Sequence, residues 1–272
     1  MIPFVKTHAL GNDFLLAEFA AVADDYPETA RRICHRYFGV GADGLILWKR
    51  DGDKFRLRIF NQDGSEAECS GNGLRCLAAY LMRDVWKEPE IRLETVSGLY
   101  TLRRIGEQFE ADMGVPGLAP PEIPFNPAAP IERIVDYPIQ LQDEIVSITA
   151  CSTGNPHCSL FVDRIDEADI RRIGPQLEHH ACFPKRTNVE FIHVRNADEI
   201  EVAFWERGVG MTYASGTGSC GATVACILNR KTKREVTVHT KAGKLRVEWP
   251  ESGRLKLTST ATVVAEGRYL EL

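Results

Sequence analysis

Ser70-Gly71-Asn72-Gly73-Leu74-Arg75-Cys76-Leu77-Ala78 and Ser215-Gly216-Thr217-Gly218-Ser219-Cys220-Gly221-Ala222 are two versions of one arrangement, small residues that lead into an apolar segment. A serine ahead of such a run suits a helix start, where the first backbone N–H groups lack intrahelical partners and can hold an anion. Leu74, Leu77, Ala78, Leu81, Met82 and Val85 recur with helical period and predict a helix over 71–85. Residues 216–228 are rich in Ala, Cys, Val and Ile on most sides and predict an enclosed helix. A Gly-Asn pair stands upstream of each start, Gly11-Asn12 and Gly154-Asn155, with 58 residues from Asn12 to Ser70 and 60 from Asn155 to Ser215. This reads as an internal duplication at domain scale. Two matching helix starts can grip one small substrate.

The rest of the chain is punctuated by Gly, Asp and Pro into short strands. In the first half these are predicted over 2–6, 14–19, 44–49, 55–61, 90–95, 99–105 and 109–114, with a helix from Pro27 to Phe38 stopped by Gly39. The stretch 115–130, VPGLAPPEIPFNPAAP, holds six prolines and is predicted to be a linker without regular structure. Strands follow over 144–151, 157–163, 188–195, 199–206, 235–240, 244–249, 254–259 and 262–265, with a helix near 166–173. Many strands with one buried helix per half predict an α+β fold in two pseudo-symmetric domains, not a doubly wound sheet. The boundaries fall at 1–117 and 118–263, with 264–272 packing back on the first domain.

Composition narrows the function. At 272 residues, 44% hydrophobic and 26% charged, the chain has material for two ordinary globular cores. A net charge of −5 with scattered Lys and Arg argues against nucleic acid as a partner. No run approaches the ~20 apolar residues of a membrane span, and the N-terminus lacks a signal-peptide layout, so a cytoplasmic protein is expected. The eight cysteines show neither a CxxC pair nor zinc-site spacing, and reduced thiols are expected. Cys76 and Cys226 lie in apolar helical patterns and read as core. His179, His180 and Cys182 lack further ligands at metal spacing and read as a surface loop. No P-loop or strand–GxGxxG–helix site is present in the sequence.

Five polar clusters interrupt the scaffold: Gly11-Asn12-Asp13, Asn61-Gln62-Asp63-Gly64-Ser65, Gly154-Asn155-Pro156-His157, Asn188 in Arg186-Thr187-Asn188, and Glu206-Arg207-Gly208. Asparagine amides both donate and accept, so they suit ammonium and carboxylate groups alike. The adjacent Glu206 and Arg207 suit a zwitterion. A single Asn-Gly is an ordinary turn signal. Five clusters, two of them of duplicated type, point to an amino-acid site.

These blocks, HALGNDF, FNQDGSEAECSGNGLRC, TGNPHCSLFV, RTNVEF and WERGVGMTYASGTGSCGA, resemble the signature blocks of the diaminopimelate epimerase family, in that family's order and across essentially the whole chain. The resemblance implies two pseudo-symmetric units, each a curled, mostly antiparallel sheet wrapped around a central helix, with the active site between them. It implies inversion of one α-carbon of LL-diaminopimelate to give the meso isomer, for lysine and peptidoglycan. Neither cofactor nor metal is implied, and a homodimer is. A poorly acidic C–H then requires oriented donors for the carboxylate, one group to remove the proton and another to return one on the opposite face.

In the family both groups are cysteines. Here those positions, nine beyond Asn61 and nine beyond Glu206, are Ser70 and Ser215. Cys69 stands one residue early, Cys220 five residues late, and Met211 replaces the family's usual Glu. The expected catalytic pair is Ser70 and Ser215. The backbone of Gly71, Asn72, Gly216 and Thr217 is expected to hold the α-carboxylate. Asn12, Asn61, Asn155, Asn188, Glu206 and Arg207 are expected to hold the amino groups and distal end, with His157 near the reaction centre. Recruitment of Cys69 or Cys220, a divergent amino-acid racemase or isomerase, and a catalytically disabled amino-acid-binding homologue stay open at this point.

Overall fold

The computed structural model describes residues 1–23 and 25–270. Contacts along the chain divide it into two units, Met1–Asp112 together with the chain from Thr258 onward, and Met113–Leu257. The first unit begins with β1 (Ile2–Ala9) and β2 (Asn12–Glu18), joined by the two-residue turn Leu10-Gly11 with φ of 52° and 82°. Both residues are left-handed, as a type I′ hairpin turn demands. It delivers Asn12 as the first residue of β2. There follow α1 (Tyr26–Ile33), β3 (Gly44–Asp51), β4 (Lys54–Asn61), the two-residue β5 (Glu66–Ala67), α2 (Gly71–Asp84), β6 (Glu90–Thr95), β7 (Gly98–Ile105) and β8 (Gln108–Gly114).

Pairing within this unit is antiparallel except for β2–β3 and β4–β6, which are parallel. Each parallel step is a crossover: α1 connects β2 to β3, and β5 with α2 connects β4 to β6. Leu45 and Leu47 of β3 join the core under α1, whereas Ile46 Cδ1 lies 3.0 Å from where a Gly73 Cβ would stand at the start of α2. With a helix on either face, the strand is apolar without alternation, which accounts for the run Leu45-Ile46-Leu47.

The second unit repeats the plan. It comprises β9 (Tyr137–Gln140), β10 (Ile145–Ser152), β11 (Pro156–Phe161), α3 (Glu167–Glu178), β12 (Asn188–Asn196), β13 (Glu199–Glu206), β14 (Gly210–Thr212), α4 (Gly216–Leu228), β15 (Glu235–Thr240) and β16 (Gly243–Glu248). The parallel pairs are again the crossovers, β11–β12 over α3 and β13–β15 over β14 and α4. Val189 and Phe191 of β12 face the core that includes Ile170, Ile173 and Leu177 of α3, which leaves Asn188, Glu190 and Ile192 on the opposite face. α4 packs against β10, β11, β12, β13, β15 and β16. Its Cys220, Ala222, Val224, Ala225 and Cys226 are buried, so its all-round apolarity is that of a central helix. The chain ends with β17 (Leu255–Thr260) and β18 (Thr262–Tyr269), the latter antiparallel to β1 from Ile2 opposite Tyr269 to His8 opposite Thr262. The predicted return of 264–272 also takes in Glu271 and Leu272, which lie outside the described residues.

Several predicted elements change. The helix predicted over 27–38 ends at Ile33: Cys34 caps it, and the chain turns back so that Val40 N–H donates to Ile33 O at 2.8 Å. Gly39 belongs to that return, because a Cβ there would lie 2.3 Å from Arg32 O. The predicted linker is part of the second unit. Pro120–Glu122 form a 3-10 turn, and Ile123 and Phe125 are buried with Phe183 in its core. The two units divide after Asp112 and after Leu257. The helix near 166–173 continues through Pro175 to Glu178. Strands β5, β9 and β14 have no counterpart in the sequence reading.

Candidate active site

Each unit carries one half of the predicted constellation. In the first, Ser70 caps α2 with extended backbone, φ −143° and ψ 115°, and its Oγ accepts from Gly73 N–H at 3.1 Å. In the second, Ser215 caps α4 with φ −136° and ψ 126°, and its Oγ accepts from Gly218 N–H at 3.2 Å. Conformation and bond match in both places. The N–H groups of Gly71 and Asn72, and of Gly216 and Thr217, belong to the first turn of their helices, where no intrahelical carbonyl is available to them. Gly73 and Gly218 are required by packing: a Cβ at the former would lie 3.3 Å from Ser70 Cβ, and at the latter 3.0 Å from Ser215 Cβ and 2.9 Å from Phe204.

In the first unit, Asn12 and Asn72 form a polarised chain. Asn12 Nδ2 donates to Asp43 Oδ2 at 2.8 Å, Asn72 Nδ2 donates to Asn12 Oδ1 at 3.1 Å, and the fully buried Arg75 donates to Asn72 Oδ1. A carboxylate at one end and a guanidinium at the other fix both amides. Asp43 is held in turn by Asp13: each backbone N–H donates to the other's carboxylate, at 3.1 and 3.0 Å. Lys6 and Arg36 reach Asp13 at 2.5 and 2.9 Å. Burial pushes the Asp13 carboxyl up, but the hydrogen bonds and charges of Arg36 and Lys6 outweigh it and hold the group at about 2. Asn61 ends β4, and its amide donates to Ser65 Oγ at 3.0 Å within its own turn. It is joined to the chain above through Gln62 N–H, which donates to Asp43 O.

In the second unit, Asn188 ties two loops together. Its Nδ2 donates to Pro156 O at 2.9 Å and its Oδ1 accepts from Arg207 N–H at 3.0 Å. Glu206 and Arg207 part company: the Glu206 carboxylate accepts from Thr212 Oγ1 at 2.6 Å, and the Arg207 guanidinium donates to Lys185 O at 3.1 Å. Burial pushes the Glu206 carboxyl up, with the Thr212 hydroxyl and His157 acting in the opposite direction. Met211 packs against the core under α3. Asn155 Oδ1 lies 2.9 Å from His157 Nε2, and His157 Nδ1 lies 2.6 Å from Glu190 Oε1. Glu178 was not singled out from sequence. It is buried, accepts from Trp205 Nε1 and Gly208 N–H at 2.8 and 2.9 Å, and so fixes the turn after Glu206.

The thiols are held apart from this role by burial. Cys69 precedes Ser70 on extended backbone, its thiol engages the Tyr100 and Ser97 hydroxyls, and burial raises it. Cys220 is fully buried within α4. Burial also pushes Cys34, Cys76 and Cys226 up to about 12, Cys151 and Cys158 well above the ordinary thiol value, and Cys182 upward. Burial of these thiols works against the thiolate form. Among the described residues no group of three or more His, Cys, Asp or Glu side chains is placed to hold a metal ion.

Comparison with known proteins adds the following. A family model described as "Diaminopimelate epimerase" matches residues 4–118 and 149–264. The chain is 44% identical over 276 residues to the diaminopimelate epimerase of Pelotomaculum thermopropionicum and 45% identical over 276 residues to that of Moorella thermoacetica, covering 98% of each chain in both comparisons. Among solved structures it is similar to a PhzF-family phenazine biosynthesis protein of Bacillus anthracis, with a TM-score of 0.71, 14% identity and coverage of 100% and 99% of the two chains. A predicted epimerase of Pseudomonas aeruginosa gives a TM-score of 0.67 at 17% identity, with 100% of both chains covered. At those identities the likeness establishes the fold alone.

Proposed function

Because the chain belongs to the diaminopimelate epimerase family, we propose that it interconverts LL-2,6-diaminopimelate and the meso isomer without a cofactor, as an isomerase of lysine and peptidoglycan synthesis. The observation that carries this reading is the pair of helix starts with the same cap: Ser70 over Gly73 and Ser215 over Gly218, at 3.1 and 3.2 Å. Ser70 serves one face of the α-carbon and Ser215 the other, one taking the proton as the other supplies one. The N–H groups of Gly71, Asn72, Gly216 and Thr217 hold the α-carboxylate, where charge grows as the C–H bond breaks. Asn12, Asn61, Asn155, Asn188, Glu206 and Arg207 hold the amino groups and the distal end, and His157 tunes the second half. We take the protein to act as a cytoplasmic homodimer, as the family resemblance implies. Among the described residues, no helix is long and apolar enough to cross a membrane.

Hydroxyls make the reaction harder than thiols do. A thiol titrates near ~8.5 and a serine hydroxyl roughly five units higher, so forming the base costs on the order of 7 kcal/mol more. The family's chemistry then proceeds at reduced rate. Incubation with LL-diaminopimelate in heavy water tests the reading: the α-proton signal disappears and the meso isomer accumulates. Tight binding without exchange, or turnover of a different amino acid alone, refutes it.

A further inference from the structure

His157 lies between two oxygens, and the amide next to it has two possible orientations. His157 and Glu190 are 0% and 1% exposed. Nδ1 faces Glu190 Oε1 at 2.6 Å, Nε2 faces Asn155 Oδ1 at 2.9 Å, and Ser159 Oγ donates to Glu190 Oε2 at 3.0 Å. The parallel register sets this up, with His157 opposite Asn188 and Ser159 opposite Glu190, on the faces of β11 and β12 turned from the α3 core. α4 closes the other side, since a Cβ on Gly221 would lie 2.9 Å from His157 Cβ.

A neutral imidazole offers one donor and one acceptor. Three hydrogen arrangements therefore satisfy these contacts. Both ring nitrogens carry hydrogen and Asn155 turns its carbonyl inward; or a protonated Glu190 donates to Nδ1 while Nε2–H donates to the same inward carbonyl; or Nδ1 alone carries hydrogen and the Asn155 amide is reversed, with NH2 inward. The first two present the NH2 of Asn155 to a ligand; the third presents its carbonyl. The buried carboxyl group decides between them. An anion shut off from water needs a counter-charge as well as hydrogen bonds, and Ser159 supplies only the latter. The titratable neighbours Cys151, Cys158, Cys220 and Glu206 are acids and bring no positive charge. In the first two arrangements the charge is matched by the ring or absent, whereas the third leaves it unmatched.

We infer that Glu190 is a positioning residue: its hydrogen bond with Nδ1 keeps a hydrogen on His157 Nε2 and so turns the Asn155 NH2 group outward, as a donor for the carboxylate of a bound amino acid. The Asn155 step rests on the function proposed above; the state of the ring does not. The test uses the full chain at pH 7, with 15N NMR of the His157 ring and LL-diaminopimelate kinetics for wild type, Glu190→Gln, Glu190→Asp and Ser159→Ala. In wild type Nε2 is expected in the protonated range. In Glu190→Gln it moves to the unprotonated range and KM rises about 10-fold or more, with a smaller change in kcat. Glu190→Asp restores most of both, and Ser159→Ala changes KM less than Glu190→Gln does. A wild-type ring with a bare Nε2 overturns the inference without any variant, as does a Glu190→Gln enzyme that loses kcat at constant KM. If wild type turns over no diaminopimelate, the functional reading fails, and the ring spectra still decide the role of Glu190.

Discussion

Replacing both capping serines with cysteine is expected to accelerate the reaction. Ser70 Oγ and Ser215 Oγ each accept one helix N–H, from Gly73 and Gly218, and a sulfur in the same rotamer accepts the same donor. The helix start stabilises a thiolate and an alkoxide alike, so it leaves the acidity gap of ~7 kcal/mol in place. With the proton about half transferred in the transition state, roughly 3 kcal/mol of that gap enters the barrier, about two orders of magnitude in rate. Loss of the serine cap costs each helix about 0.5–1 kcal/mol, so the double variant stays folded with a slightly lower Tm. The assay is α-proton exchange of LL-diaminopimelate in heavy water, followed by NMR for wild type, both single variants and the double variant. A folded double variant no faster than wild type would refute the assignment of Ser70 and Ser215 to proton transfer.

Three further outcomes are expected. Iodoacetamide at neutral pH is expected to leave wild-type activity intact, because the proposed reacting groups are hydroxyls and burial raises Cys69; loss of activity with one alkylated thiol would contradict that assignment. Asp13 has a folded value of about 2 against 3.8, so its stabilisation is complete above about pH 4 and disappears as pH falls through about 2. Asp13→Asn is expected to cost about 2 kcal/mol at pH 7 by urea unfolding and to flatten that acid limb; an unchanged limb contradicts the ion-pair account. Gly221→Ala drives a methyl to 2.9 Å from His157 Cβ and is expected to destabilise by ~1–3 kcal/mol while raising KM, read by thermal unfolding and kinetics.

The two central helices were legible because a serine cap, paired small residues and an apolar run all point the same way at 70–85 and 215–228. Elements whose ends depend on tertiary contacts were not. Gly39 looked like a helix stop, but its close approach to Arg32 O belongs to a chain reversal that begins at Cys34. The helix expected near 166–173 extends further, with Pro175 inside α3. The prolines of 115–130 hid Ile123 and Phe125, whose burial makes the segment part of a core. At the site, the asparagines and serines were readable as motifs, whereas their supports were not. Asp43, Ser159, Glu178 and Glu190 act across the sequence, and one signal could have found two of them. Polar residues at alternate positions, His157 with Ser159 and Asn188 with Glu190, mark one face of two predicted strands.

The Ser70 and Ser215 caps bind reactivity to durability. The oxygen that fastens each central helix is the same atom assigned to the chemistry, so exchange for a residue without a side-chain acceptor removes both roles at once. An alanine allele at either codon would betray itself as heat-labile, by about 1 kcal/mol, even in a cell that never needed its product.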